Sequence, residues 1–318
     1  MKSSVIICTK DREKDLINCI NSINKQTFLP NELIIVDDGN LNKSKIKIII
    51  NKKIKLKYIK TNRAGTSVAR NIGVKNASGD IIFFFDDDVI LYKNYIKYIL
   101  EEYKKDKFNL IKGIGGISVK EKYRRNYQNF LDFLNRLFFV LPKKSGVVLP
   151  SGFWRAVCKE DLTTKSPNLI KVEAFSGCSM SFRKEIFKKF LFDKNLTGYA
   201  LGEDLDISYR IFKEYLRGLY IRSNAKLIHK KSKKSRLHIK DTNFKLIINK
   251  FYFFKKNIDK TFKNYLIYLW SLFGLIFIDL IFLIRPKKVK IKKLIGKLQG
   301  LFVLFKVIFL KQNINKYL

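Results

Sequence analysis

Short apolar runs alternate with helix-period segments through the first third of the chain. Ser4-Val5-Ile6-Ile7-Cys8 is wholly buried in character and stops at Thr9-Lys10-Asp11-Arg12. Leu16, Ile17, Ile20 and Ile23 then recur at helical spacing. Leu33-Ile34-Ile35-Val36 is a second buried run, ending in Asp37-Asp38-Gly39-Asn40, and Leu56-Lys57-Tyr58-Ile59 is a third, weaker one. Ser67 to Ala77 reads as helix, Gly79-Asp80 as a turn, and Ile81 to Phe85 as another strand. Runs apolar at every position suit strands covered on both faces. Strands alternating with helices predict an α/β fold with a mostly parallel, doubly wound sheet flanked by helices.

The chemistry lies where these strands stop. Phe83-Phe84-Phe85 runs directly into Asp86-Asp87-Asp88. Three adjacent carboxylates repel one another, and a divalent cation relieves that repulsion, because Mg²⁺ and Mn²⁺ take carboxylate oxygens and bridge to phosphates. An acidic turn is the plainer alternative. Right-handed crossovers put the carboxyl ends of parallel strands on one rim, so Asp37, Asp38 and Asp86 to Asp88 are expected around one crevice.

Thr9, Asp37-Asp38-Gly39, Asn62-Arg63-Ala64-Gly65 with Ala69-Arg70-Asn71, and Asp86-Asp87-Asp88 resemble, in order and spacing, the glycosyltransferase family 2 pattern on the GT-A fold. Gly177 to Arg183 is similar to that family's acceptor-side segment, Gly202-Glu203-Asp204-Leu205-Asp206 to its Glu-Asp motif, and His229 to its late metal-binding histidine. The resemblance spans roughly residues 1–235. It implies a GT-A, Rossmann-like catalytic domain with a nucleotide-sugar half at about 1–118 and an acceptor half at about 119–235.

The resemblance also implies roles. Asp38 and Thr9 would face a nucleobase, Asp38 accepting from an imino N–H; a solvated turn acid is the alternative. Arg63 would contact nucleoside or diphosphate. Asp86 is the ribose-side or supporting carboxylate, and Asp87 shares either task. Asp88 falls at the metal-ligand position and His229 at a further metal contact. Arg70 reads equally as a structural ion-pairing residue. Asp204 would be the base that takes the acceptor hydroxyl's proton, with Glu203 orienting its neighbours. Acids at a helix N-terminus are also ordinary capping residues, although three acids within Glu203 to Asp206 exceed that need. A lone histidine such as His229 is commonly packing; here it ends the strand-like run Ala225 to Ile228. His238, in a basic stretch, is expected to be solvated.

Composition narrows the setting. The formal net charge is +38, which points to a polyanionic partner, in part reflecting Lys/Ile/Asn-rich usage. No zinc-finger or RNA-stacking motif accompanies the charge, so no nucleic-acid partner is expected. Cys8, Cys19, Cys158 and Cys178 are scattered, which suits a reducing compartment. Met1 leads straight into the first strand, so no signal segment is expected. Lys120 to Lys171 departs from simple periodicity and is basic and aromatic at Tyr123, Arg124, Arg125, Tyr127, Phe130 and Phe133; the resemblance makes it acceptor-facing. No Q-x-x-R-W pattern occurs, so single addition is expected rather than polymer extrusion.

The C-terminal region, 236–318, is a different object. Tyr265 to Ile284 carries one charge, Asp279, and has about the length that spans a hydrocarbon core. Leu294 to Leu310 is apolar but broken by Lys297, Gln299 and Lys306, an amphipathic, interfacial pattern. Basic stretches at Lys230 to Lys240 and Arg285 to Lys293 flank the first segment on both sides. A full span would place one of them outside, so a re-entrant or interfacial helical appendage on the cytoplasmic membrane face is expected, with a single span, or a helix buried against the catalytic domain or a dimer partner, as the alternatives. The expected activity is metal-dependent, inverting transfer from a nucleotide-diphospho-sugar to a saccharide or lipid-linked acceptor, with Mg²⁺ or Mn²⁺ as cofactor. The alternatives are a non-catalytic saccharide- or nucleotide-binding protein and a nucleotidyltransferase. The latter would ordinarily carry a glycine-rich phosphate loop after the first strand, where Thr9-Lys10-Asp11-Arg12 stands.

Overall fold

The computed structural model describes the chain except residues 63–64, 120–127, 164–166, 199–200, 217, 233–236 and 285–287. Arg63, Tyr123, Arg124, Arg125 and Tyr127, and the first residues of the Arg285 to Lys293 run, therefore lie outside the described residues. Two compact units form: Met1–Glu121 with Ala156–Arg236, and Lys122–Arg155 with Leu237–Leu318.

The first unit is built on one sheet. β1 (Ser3–Thr9) pairs in parallel with β2 (Glu32–Asp37) and β4 (Ile81–Asp86), and β2 with β3 (Lys55–Lys60). Helices α1 (Glu13–Asn24) and α3 (Thr66–Asn76) connect them as the periodicity predicts, and a short α2 (Lys43–Ile49), which the sequence reading does not include, joins β2 to β3. Alternation along each strand sorts its side chains. Val5, Ile7, Leu33, Ile35, Phe83 and Phe85 face a core with Leu16, Cys19, Ile20 and Ile23 of α1. Ile6, Ile34, Val36 and Phe84 face a second core with Ala69 and Val74 of α3. Both sheet faces are thus covered, which is why these runs show no polar alternation.

Beyond β4 the sheet is mixed. β5 (Val89–Leu91) leads through α4 (Tyr95–Lys105) to β6 (Gly113–Ser118); β7 (Leu169–Lys171), β8 (Met180–Arg183) and, after α6 (Glu203–Glu214), β9 (Leu219–His229) complete it. β8 runs antiparallel to β4 and β6, β9 antiparallel to β5 and β7 and parallel to β6. The parallel order expected from the sequence holds for β3-β2-β1-β4, and the sheet continues β8-β6-β9-β5. The strand registers align Thr9 with Asp37 and Cys8 with Asp86, which puts the three strand ends on one rim.

The second unit is helical. It contains α5 (Gln128–Leu137), α7 (Ile239–Asn257), α8 (Phe262–Ile281) and α9 (Lys288–Phe309). The expected boundary near residue 235 needs one amendment: residues 122–155 belong with the C-terminal helices. The reason is aromatic packing, since Phe138 sits 5.0 Å from Trp270, 5.9 Å from Phe273 and 5.6 Å from Phe277, centroid to centroid. α9 packs on α7 through Gly296 and Gly300; a Cβ at Gly296 would lie 2.2 Å from the Lys240 carbonyl oxygen. Among the described residues, α8 is the one helix long and apolar enough to cross a membrane. Lys297 does not belong to the polar side of an amphipathic helix, as the sequence pattern suggests. It turns inward and pairs with Asp279 at 2.8 Å.

Candidate active site

The sheet register assembles the acidic centre. β4 ends at Asp86 and β5 begins at Val89, leaving Asp87 and Asp88 in the turn. Val89 pairs with His229, so the end of β9 arrives beside that turn. Nε2 of His229 lies 3.1 Å from Asp88 and 3.9 Å from Asp86. One ligand atom from each of Asp86, Asp88 and His229 falls within 4.8 Å of the others. Two carboxylates and an imidazole suit Mg²⁺, Mn²⁺ or a similar cation, with Asp86 the most accessible of the two acids.

The local electrostatics favour positive charge at this point. Burial pushes the Asp88 carboxyl up, but hydrogen bonds from His229 and the Ser232 N–H bring it down to about 2. Burial pulls the His229 imidazole down, and its hydrogen bond to Asp88 overrides that and holds it up at about 10. The acids thus favour positive charge at His229, which the imidazolium supplies, and a metal would meet the same demand once the imidazole had lost its proton.

Asp87 faces the other way. It is 3% exposed, accepts a hydrogen bond from the Thr9 hydroxyl at 2.7 Å and pairs with Arg12 at 3.0 Å. Burial pushes its carboxyl up to about 6 against the opposing pull of Arg12. The structure thus brings Thr9 and Asp87 together as a clasp between the ends of β1 and β4. Asp37 is also turned inward, contrary to the expectation that it lines the crevice. It is fully buried and accepts hydrogen bonds from the Tyr58 hydroxyl and the backbone N–H groups of Gly39 and Leu41. An adjacent pair of acids at the end of an extended run points its side chains to opposite sides, so only Asp38 faces out.

Asp38 lines an open cleft of about 290 Å³ with Lys10, Asp11, Gly39, Asn40, Lys60, Thr61 and Asn62. Burial raises its carboxyl, with Lys10, 3.9 Å away, acting against this. Lys10 and Lys60 were not singled out from the sequence. Their position directly after β1 and at the end of β3 is the signal that identifies them.

A second acidic group converges through Arg70. This buried guanidinium donates to Glu203 at 2.7 Å, to Asp86 at 3.2 Å and to the Gly177 carbonyl at 3.2 Å. Asp204 sits beside it, accepting from the Gly177 N–H at 2.7 Å and from the Leu205 N–H at 2.8 Å. Gly177 leaves room for this cluster, because a Cβ there would lie 2.9 Å from an Arg70 nitrogen and 3.3 Å from an Asp204 oxygen and would push on both side chains. Burial pushes both Glu203 and Asp204 up, with Arg70 opposing. Asp206 leaves the group: it turns inward and pairs with Arg210 one helical turn on, at 2.8 Å. Of the residues expected at the centre, Asp86, Asp88, His229, Glu203 and Asp204 are therefore brought together, with Arg70 as the link. His238 is exposed at the start of α7.

The sequence pattern described as Glycosyl transferase family 2 matches residues 4–191. The chain belongs to this family. The match takes in β1 through β8 with Asp38, Asp86 and Asp88; Glu203, Asp204 and His229 lie beyond it and rest on geometry. An uncharacterized glycosyltransferase of Rickettsia conorii is 36% identical over 108 residues, covering 34% of this chain and 18% of that protein. The poly(ribitol-phosphate) beta-N-acetylglucosaminyltransferase TarS of Staphylococcus aureus is 28% identical over 183 residues, covering 54% of this chain and 30% of its own length. The chain thus spans less than a third of these two relatives. The crystal structure of GalNAc-T7 with UDP, GalNAc and Mn2+ superposes with a TM-score of 0.53 at 20% identity, covering 72% of this chain and 43% of that one. That likeness concerns the fold and makes it GT-A.

Proposed function

We propose that this family 2 member transfers a sugar from a nucleotide-diphospho-sugar to a hydroxyl of a saccharide or lipid-linked acceptor, with inversion, at a membrane surface. The observation that carries this reading is the convergence of two acidic groups on Arg70: Asp86, Asp88 and His229 on one side, Glu203 and Asp204 on the other.

Asp38 and the cleft around it receive the nucleoside, the carboxylate accepting from a base N–H. Thr9 and Asp87, which the resemblance places toward the donor, bond to each other at 2.7 Å, and in this reading they brace the ends of β1 and β4 beside the donor. Arg63 is kept as a contact to the diphosphate on the strength of the resemblance alone. Asp88 and His229, with Asp86, would hold a divalent cation. When bound, that cation supplies charge neutralisation to the departing diphosphate. Asp204 takes the acceptor proton: burial raises its basicity, and the Gly177 N–H fixes one of its oxygens. Glu203 holds Arg70, and Arg70 holds the Gly177 turn against which Asp204 is set. The likeness to GalNAc-T7, whose crystal structure contains UDP and Mn2+, supports the donor and cation class.

The test is release of nucleoside diphosphate from a panel of nucleotide-sugars by the full chain, with Mn²⁺, Mg²⁺ or chelator. Metal-dependent release supports the reading. Nucleotide binding without release under any condition would establish the non-catalytic alternative, and release of sugar 1-phosphate with formation of nucleoside triphosphate on adding pyrophosphate would establish a nucleotidyltransferase.

A further inference from the structure

The helical unit has its polarity reversed. On α8, Leu266, Trp270, Phe273, Phe277 and Leu280 recur every three or four residues and are 38–53% exposed. On α9, Leu298, Phe302, Phe305 and Phe309 do the same at 47–67%. One ion pair lies between these helices. Lys297 is 6% exposed, pairs with Asp279 of α8 at 2.8 Å and donates to the Leu275 carbonyl at 3.2 Å.

In water this arrangement is unfavourable twice over, because it exposes aromatic rings and desolvates an ion pair. In an apolar solvent it is the expected one: apolar side chains face outward, and ionisable residues turn inward and pair. A second copy of the chain would also cover the apolar faces. Charge decides between the two. The run Arg285 to Lys293 leads into α9, Lys292 and Lys293 are exposed, and the whole chain carries +38. This repels another copy and attracts anionic lipid.

We propose that α8 and α9 insert their outward aromatic faces into one leaflet of an anionic bilayer, lying along the interface, with Asp279 and Lys297 paired between them. The proposal rests on the membrane-surface reading above and specifies how the surface is engaged. In-plane insertion follows from the lysines in the first turns of α9 and from basic runs on both sides of α8, which a spanning helix would have to separate across the membrane.

The chain carries its own probe. It has two tryptophans, Trp154 and Trp270, so full-length Trp154→Phe leaves Trp270 as the sole indole on the α8 face. This variant is mixed with vesicles of phosphatidylcholine, or phosphatidylcholine with one quarter phosphatidylglycerol, with and without acyl-chain doxyl label. Expected are flotation with the anionic vesicles that persists in 1 M salt, a blue-shifted Trp270 emission and quenching by doxyl lipid. Phe302→Glu with Phe305→Glu should lower partitioning at least about tenfold while circular dichroism keeps its helical signal. Flotation without quenching, reversed by salt, would overturn insertion and leave the membrane-surface reading standing. Absence of flotation would overturn both, and a dimer in sedimentation would then identify a second copy as the occupant. None of these readouts depends on sugar transfer.

Discussion

Replacing Arg70 with methionine removes the cation that joins the two acidic groups. The loss falls unevenly. The Asp86 side chain is 33% exposed, so water replaces its partner at little cost. Glu203 is 10% exposed in its side chain and keeps no other cation at hydrogen-bond distance among the contacts described, so its charge is left buried. Removing one member of a buried pair costs about 3–5 kcal/mol. Because burial already pushes the Glu203 carboxyl upward, protonation recovers part of this, and we expect about 3 kcal/mol at neutral pH. Glu203→Gln alone keeps the Arg70 contacts to Asp86 and the Gly177 carbonyl and should cost less. Combined, the two substitutions should recover about 1.5–3 kcal/mol of coupling, the range for hydrogen bonds to charged groups. Urea unfolding followed by far-ultraviolet circular dichroism measures each corner of the cycle. Additivity within about 0.5 kcal/mol would show that the two side chains do not interact, and the linkage of the two acidic groups would be refuted. Arg70→Lys should keep most of the stability but not the turnover, because an ammonium cannot serve Glu203, Asp86 and Gly177 with one rigid fork.

Asp88→Asn should reduce metal-dependent nucleoside diphosphate release by more than the roughly 10–100-fold typical of outer-shell changes, with weakened Mn²⁺ binding in calorimetry; unchanged binding would remove Asp88 from the ligand set. Asp204→Asn should lower turnover about 10²–10⁴-fold while donor affinity holds, and a parallel collapse of donor affinity would make Asp204 a donor contact instead. Glu32 tests the electrostatics of the scaffold: burial raises its carboxyl, but hydrogen bonds from Lys57, Ser4 and Ser78 bring it down from 4.5 to about 2. A lowered folded-state value means stability that is complete above about pH 4.5 and is lost as the pH falls toward about 2. Glu32→Gln should therefore cost up to about 3 kcal/mol at pH 7 and flatten the acid limb of stability; an unchanged acid limb would contradict the assignment.

The N-terminal half of the fold was legible because its signals are local. β1, β2 and β4 are buried on both faces, and their apolar runs stop where the chain must turn toward water. The same stops place Asp38, Asp86 and Asp88 at strand ends, so their candidacy needed no coordinates. β6 was not legible: Gly113-Ile114-Gly115-Gly116 lacks strand character and is held by its neighbours β8 and β9. The antiparallel insertion of β8 between β4 and β6 depends on pairings distant in sequence, which no window of the chain contains.

The resemblance pointed to Asp38 and Asp88 among the acids, and the tertiary structure supplied the physical reason for the difference. Composition cannot tell Asp37 from Asp38, or Asp87 from Asp88. One side of each turn meets Tyr58, or Thr9 with Arg12, and the other meets the cleft or His229. Arg70 was ambiguous for the same reason, since its three partners come from three separate segments. In the C-terminal region the sequence announced two apolar segments interrupted by Asp279, Lys297 and Lys306. Only packing showed that Lys297 turns inward to meet Asp279, because whether a lysine in an apolar helix faces solvent or a partner is settled by the helix beside it.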